Sequence, residues 1–217
     1  VSNQYPIFII CRDRYSCTID LINWIEKTGQ ENIYLIDNDS RYEPLLEYYK
    51  TTPHTVIRTA FNFGHHVPWT FGCVEKYASN QFFIVTDPDI LPVEDCPLDA
   101  IDRFKYLLDK YPHMTKAGFG LKIDDIPDHY SKKQDVIAHE SQFWLGYMPE
   151  EDVIYANIDT TFALYRPGAT VDIFNSIRTT GRYLARHTPW YIDSNNLSYE
   201  ETFYRKRLSR SFNNWNK

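Results

Sequence analysis

Apolar residues fall along this chain in short unbroken runs, separated by stretches with helical spacing. Tyr5-Pro6-Ile7-Phe8-Ile9-Ile10 predicts a first strand. A helix follows from about Ser16, with Leu21, Ile22 and Ile25 on one face and Gly29 placed to end it. Asn32 to Ile36 is a second strand, Glu43 to Lys50 a short helix with Pro44 in its first turn, and Thr55 to Arg58 a third strand. A helix over 68–78 and a strand over 82–86 complete a βαβαβαβ order. That order predicts right-handed crossovers and a mostly parallel sheet with helices on both faces.

The second half is less regular. Leu98 to Lys110 reads as a helix, and Lys116 to Leu121 and Thr160 to Tyr165 read as strands. The polar, aromatic stretch Asp124 to Asp152 reads as a long loop over one face, and a last helix spans roughly Ser198 to Arg210. The two halves are expected to share one core, so 1–217 is read as a single domain.

Composition narrows the class. A chain of 217 residues with 43% apolar and 24% charged residues is an ordinary globular one. The net charge of −6 leaves no basic footprint for nucleic acid. The basic cluster Arg205-Lys206-Arg207 with Arg210 reads as a solvated helix face. Cys11, Cys17, Cys73 and Cys96 form no C-x-x-C pair, which argues against a zinc site and a disulfide scaffold. Reduced thiols suit the cytoplasm, a host's cytoplasm if the chain is viral. No apolar run is long enough to span a membrane. The chain begins at Val1, which suits a trimmed chain or one domain of a longer protein.

The chemistry gathers at the predicted strand ends. The strand Phe82 to Thr86 runs straight into Asp87-Pro88-Asp89. Ligands of open α/β sheets collect outside the carboxyl ends of the strands. Two hard oxygen ligands there suit Mg²⁺ or Mn²⁺ held partly by substrate phosphates. The first strand ends on Cys11, Arg12, Asp13 and Arg14, the second on Asp37, Asn38 and Asp39, and the third leads to Asn62 and Gly64. An acid at such an end accepts from a ribose hydroxyl or a base N–H, and Arg12 or Arg14 pairs with phosphate. Together the four ends point to a nucleotide-diphosphate site. His65 and His66 read as the entry to a helix, and Trp69, Trp144 and Trp190 as core or sugar-stacking faces.

These segments resemble, in order and spacing, the GT-A fold of nucleotide-sugar glycosyltransferases, most closely family 2 and small viral or bacterial relatives. Ile36-Asp37-Asn38-Asp39-Ser40 is similar to that family's V-D-D-x-S segment. Asn62-Phe63-Gly64 is similar to its N-x-G turn, and Ile84 to Asp89 to its strand–D-x-D segment. The likeness is good over about residues 5–92 and looser beyond. It implies a Rossmann-like sheet, with a nucleotide-sugar half over about 1–95 and an acceptor half over about 96–217. It also implies Asp87 and Asp89 as ligands of Mn²⁺ or Mg²⁺, with Asp87 at the ribose or diphosphate. His187, in a string similar to the H…P-W segment of some retaining enzymes, is the third ligand it suggests. Glu200-Glu201 resembles the family's acid pair, which makes Glu201 one candidate general base; Asp159, opening a buried strand, is the other.

The implied activity is transfer of a sugar from a nucleotide-diphosphate donor, UDP-linked by preference, to a hydroxyl of a glycan, glycoprotein or lipid. Inverting displacement is favoured, although the His187 likeness pulls toward retention. Two rivals stay open. A nucleotidyltransferase of related fold is opposed by the lack of glycine in Cys11 to Arg14. The other is a catalytically silent domain that binds glycans or nucleotide sugars.

Overall fold

The computed structural model describes residues 4–149 and 151–208. The first half follows the predicted order: β1 (Ile7–Cys11), α1 (Ser16–Lys27), β2 (Ile33–Asn38), α2 (Glu43–Thr51), β3 (Thr55–Thr59), α3 (Val67–Thr70), α4 (Cys73–Ala78) and β4 (Phe83–Thr86). β1 is buried at every residue because helices cover both faces of the sheet, as an unbroken apolar run requires. α1 buries Thr18, Leu21, Ile22 and Ile25, one stripe at helical spacing, and gives way to Gly29 at φ 83°. The single helix expected over 68–78 is two short ones. Gly72, at φ 73°, breaks the run in a conformation that glycine adopts without strain.

The second half holds β5 (Ile90–Pro92), α5 (Ala100–Lys110), β6 (Lys116–Leu121), α6 (Lys133–Glu140), β7 (Tyr147–Met148), β8 (Val153–Tyr155), β9 (Ala163–Tyr165), β10 (Ser176–His187) and α7 (Tyr199–Lys206). The stretch Asp124 to Asp152 is therefore not one long loop, since it carries α6, a 3-10 turn over Ser141–Trp144 and β7. The strand expected from Thr160 begins only at Ala163. The Arg210 end of the predicted last helix lies outside the described residues.

The described strands form one sheet in the order β3-β2-β1-β4-β9-β6-β10-β8-β7, with β5 paired to β10. β3, β2, β1 and β4 are mutually parallel, as are β6 and β10, while β9 runs antiparallel between β4 and β6. This is a mixed α/β, Rossmann-like architecture. Register sets Cys11 beside Asp37 and Asp37 beside Arg58, so the first strand ends emerge side by side. One core packs α1 and α5 against Ile7, Ile9 and Phe119. The other packs α3 and α4 against Phe8, Ile36 and Val85 on the opposite face.

β5 and β10 join the end of the first half to the second. They run antiparallel with Ile90 opposite His187, and the Thr188 N–H donates to the Asp89 carbonyl at 2.8 Å. The ladder therefore holds His187 beside Asp89, though nearly a hundred residues separate them in the chain.

Candidate functional site

A cavity of about 720 Å³ opens outside the carboxyl ends of β1, β2 and β4. That volume lies within the range of small-molecule and cofactor sites. Of the residues the sequence singles out, Arg12, Arg14, Asn62, Gly64, Asp87, Asp89, Asp159 and His187 line it.

Asp87 and Asp89 follow β4 directly. The Thr160 hydroxyl donates to the Asp87 carboxylate at 2.7 Å, and the Asp87 N–H donates to the Thr160 carbonyl at 2.9 Å. Burial, and behind it the charge of Asp89, pushes the Asp87 carboxyl well above the usual carboxylate range. Asp89 Oδ1 and His187 Nδ1 are buried without a hydrogen-bond partner. His187 Nε2 lies 3.6 Å from Asp89 Oδ2, and its ring meets Trp190 edge-on at 4.8 Å. Burial pushes the His187 pKa down, which favours the neutral imidazole that a metal requires.

Two carboxylates and one imidazole, with Asp89 Oδ1 and His187 Nδ1 left without hydrogen-bond partners, make a donor set that fits Mn²⁺ or Mg²⁺. Among the described residues, however, Asp87, Asp89 and His187 are not a group whose ligand atoms all lie within 4.8 Å of one another. Mg²⁺-type ions need few protein donors, since water and substrate oxygens fill the remaining positions.

Asp89 already has a cationic partner. The buried Arg14 guanidinium pairs with Asp89 Oδ2 through Nη1 and with Glu201 Oε2 through Nη2, the latter at 3.0 Å. It also stacks 3.9 Å from the Tyr204 ring centroid. Burial works against the Arg14 charge, yet Asp89, Tyr204 and Glu201 outweigh it and hold the guanidinium more firmly protonated than a free arginine. Both Glu201 oxygens are engaged, one by Arg14 and one by Arg205 Nε at 2.7 Å. Its backbone N–H donates to the Ser198 hydroxyl at the start of α7 at 3.1 Å. Glu201 is thus a brace for Arg14, behind the cavity wall. Glu200 receives the Ser16 N–H and hydroxyl at the start of α1. Asp159, by contrast, lines the cavity with a side chain 61% exposed.

Four expected binding residues do not reach the cavity. The Cys11 side chain is fully buried, and burial together with Asp37 raises its thiol pKa to about 12, so it is an inert thiol. Asp13, at φ 53°, is fully buried and takes the Arg41 and Tyr42 N–H groups at 2.6 and 3.0 Å, and it pairs with Arg207. Asp37 receives Arg58 Nε at 2.9 Å, the Ser40 N–H and the Tyr49 hydroxyl. Asp39, at φ 64°, pairs with Arg207 at 3.2 Å. These acids knit the ends of β1 and β2 together, because buried carboxylates need donors and the two connecting loops supply them.

The cavity also uses Asn38, which the sequence marks only as part of a strand end, and Arg178, to which it assigns no role. Asn38 accepts the Phe63 N–H at 2.7 Å and donates to the Gly64 carbonyl at 2.9 Å, which shapes the turn that carries His65. Elsewhere in the lining, buried Arg178 pairs with Glu140 Oε2 at 3.0 Å, donates to the Asn157 carbonyl and lies 4.2 Å from the Phe143 ring centroid. The Asn38-Asp39 pair directly after a strand is a readable turn signal; nothing local marks Arg178.

No protein-family model matches the chain, and no curated protein matches it. Among solved structures, an apo UDP-glucose pyrophosphorylase aligns with 94% of this chain and 100% of its own, at 11% identity and a TM-score of 0.46. A likeness that distant says nothing of activity. Among the described residues no helix is long and apolar enough to cross a membrane.

Proposed function

We propose that this protein is a metal-dependent glycosyltransferase of the GT-A type, moving a sugar from a nucleotide-diphosphate donor, UDP-linked by preference, to an acceptor hydroxyl with inversion. The observation that carries this reading is the pairing of Asp89 with His187. Both residues line a cavity outside parallel strand ends, and each keeps a buried ligand atom without a hydrogen-bond partner. A water-excluded donor set of that kind is costly to leave without a partner. Asp89, Asp87 and His187 would hold Mn²⁺ or Mg²⁺, which when bound supplies positive charge to the departing diphosphate.

The chain's own residues do the rest. Arg12 borders the cavity and favours an anionic diphosphate there, while the charge of Arg14 is taken up by Asp89 and Glu201. Asn38 holds the Asn62–Gly64 turn against the cavity. Asp159 is the carboxylate with free access to an acceptor hydroxyl and takes its proton. Glu201 is a positioning residue that acts through Arg14. The Arg178–Glu140–Phe143 end faces the acceptor, a glycan or another hydroxyl-bearing molecule.

The test is a panel of UDP-, GDP- and dTDP-sugars, scored for hydrolysis with and without Mn²⁺, alongside Asp89→Ala. Slow, metal-dependent hydrolysis of one donor, lost in the variant, is expected. Hydrolysis indifferent to both metal and Asp89 would overturn the reading. Binding of nucleotides without turnover would favour a silent binding domain, and pyrophosphate release from a nucleoside triphosphate would favour a nucleotidyltransferase.

A further inference from the structure

The turn that ends in Gly64 places two adjacent histidines where a carboxylate from another part of the chain meets them. Ligand atoms of His65, His66 and Asp159 all lie within 4.8 Å of one another. His65 Nε2 is 3.7 Å from Asp159 Oδ1, and the two imidazole centroids are 3.9 Å apart. The backbone under both sides is fixed. Gly64, at φ 76°, is held by Asn38 and by the Asn62 side chain, which takes its N–H at 2.9 Å. The Asp159 carbonyl accepts the Tyr165 hydroxyl at 3.1 Å, and its neighbour Thr160 is tied to Asp87.

We propose that His65, His66 and Asp159 bind a Zn²⁺-class ion, at a second metal site separate from the oxygen-rich pair Asp87 and Asp89. Two imidazoles and one carboxylate are borderline donors that suit Zn²⁺ or Co²⁺ better than Mg²⁺. Zn–N distances of about 2.0–2.1 Å put tetrahedral donors about 3.3 Å apart, so small side-chain rotations close the set. His65 and Asp159 both face the cavity, so the fourth position opens to water or a ligand. An occupied site engages Asp159. On the glycosyl-transfer reading, and only on it, Zn²⁺ therefore inhibits by withdrawing the proton acceptor.

The experiment titrates Co²⁺ into tag-free protein and follows its visible absorption, with Zn²⁺ competed against a chromophoric chelator. Wild type, Asp89→Ala, His65→Ala and Asp159→Asn are compared, each checked for folding by circular dichroism. One equivalent with an intense four-coordinate spectrum is expected in Asp89→Ala, and the same band in wild type, where any further Co²⁺ held by Asp87, Asp89 and His187 adds only weak six-coordinate absorption. Affinity should fall at least about 10–100-fold in His65→Ala and Asp159→Asn. No stoichiometric binding, or binding lost only in Asp89→Ala, would overturn the proposal. Because the readout is binding, failure of donor hydrolysis leaves this site standing and sinks only the transfer reading.

Discussion

Replacing Arg14 by Met tests the electrostatic centre of the site. Arg14 is 4% exposed and lies against two carboxylates that are almost as buried. At an effective dielectric of about 20, unit charges 3 Å apart attract by about 5.5 kcal/mol, and desolvation offsets much of that. What the substitution exposes is the cost of stranding the partners. Glu201 keeps Arg205 at 2.7 Å, whereas Asp89 keeps only a neutral-leaning His187 at 3.6 Å. One stranded buried carboxylate costs about 3–5 kcal/mol. In a chain of this size that corresponds to a fall in Tm of about 6–20 °C. Urea unfolding and a thermal melt, both without divalent metal, measure it. Asp89→Asn in the Arg14→Met background should restore most of the loss, a coupling that a double-mutant cycle isolates. If Arg14→Met costs under about 1 kcal/mol, or if the two substitutions add, Arg14 does not neutralise Asp89 and the account of the site fails.

Asp159→Asn should lower kcat for transfer by about 100-fold or more while donor KM changes little, and an equal effect on both would deny it the role of proton acceptor. Gly118→Ala should destabilise the fold by about 1–3 kcal/mol or more, because its Cβ would meet the Phe162 carbonyl and come within 2.6 Å of Ala163 Cβ. A melt unchanged from wild type would mean that β6 and β9 are not packed so closely. Buried Lys116 has its pKa pushed down by burial to about 8 and donates to the Asp172 carbonyl at 2.6 Å. Its folded pKa lies below the unfolded one, so the unfolded state binds more protons between about pH 8 and 10.4, and stability rises with pH there by about 3 kcal/mol. Lys116→Met should remove that rise, and parallel stability–pH curves for the two proteins would refute it.

The first half is legible because each of its strands announces itself. Phe82 to Val85 and Tyr5 to Ile10 are apolar runs too short for helices, and the acids that follow them mark the ends. β10 carries no such sign. It holds Arg178, Thr179, Thr180, Gly181 and Arg182, and its pairing with β6 shifts register between Thr179 and Leu184, so its pattern follows neither period. Arg178 is buried on it only because Glu140 and the Asn157 carbonyl come to meet it. α6 escapes the pattern for a related reason: it buries just Val136 and Glu140, which is too little for an apolar stripe. The acids after β4 are readable as a site from their position. Asp13 and Asp37 look equivalent to them in sequence, and only the three-dimensional supply of donors shows that they serve the loops.

The antiparallel pairing of β5 with β10 has a consequence for how such a chain diversifies. Asp89 immediately precedes one strand and His187 ends the other, so on the proposed function the ion-binding face is assembled from both halves. The halves are therefore not interchangeable modules. A chimera that took its acceptor half from another protein would import one ligand of the ion along with it, and would have to re-establish the Ile90–His187 register to work. On the same proposed function, new acceptor preferences would be more easily reached by altering α6 and the turn after it, which reach the cavity through Glu140 and Phe143 without carrying any of the proposed cation ligands.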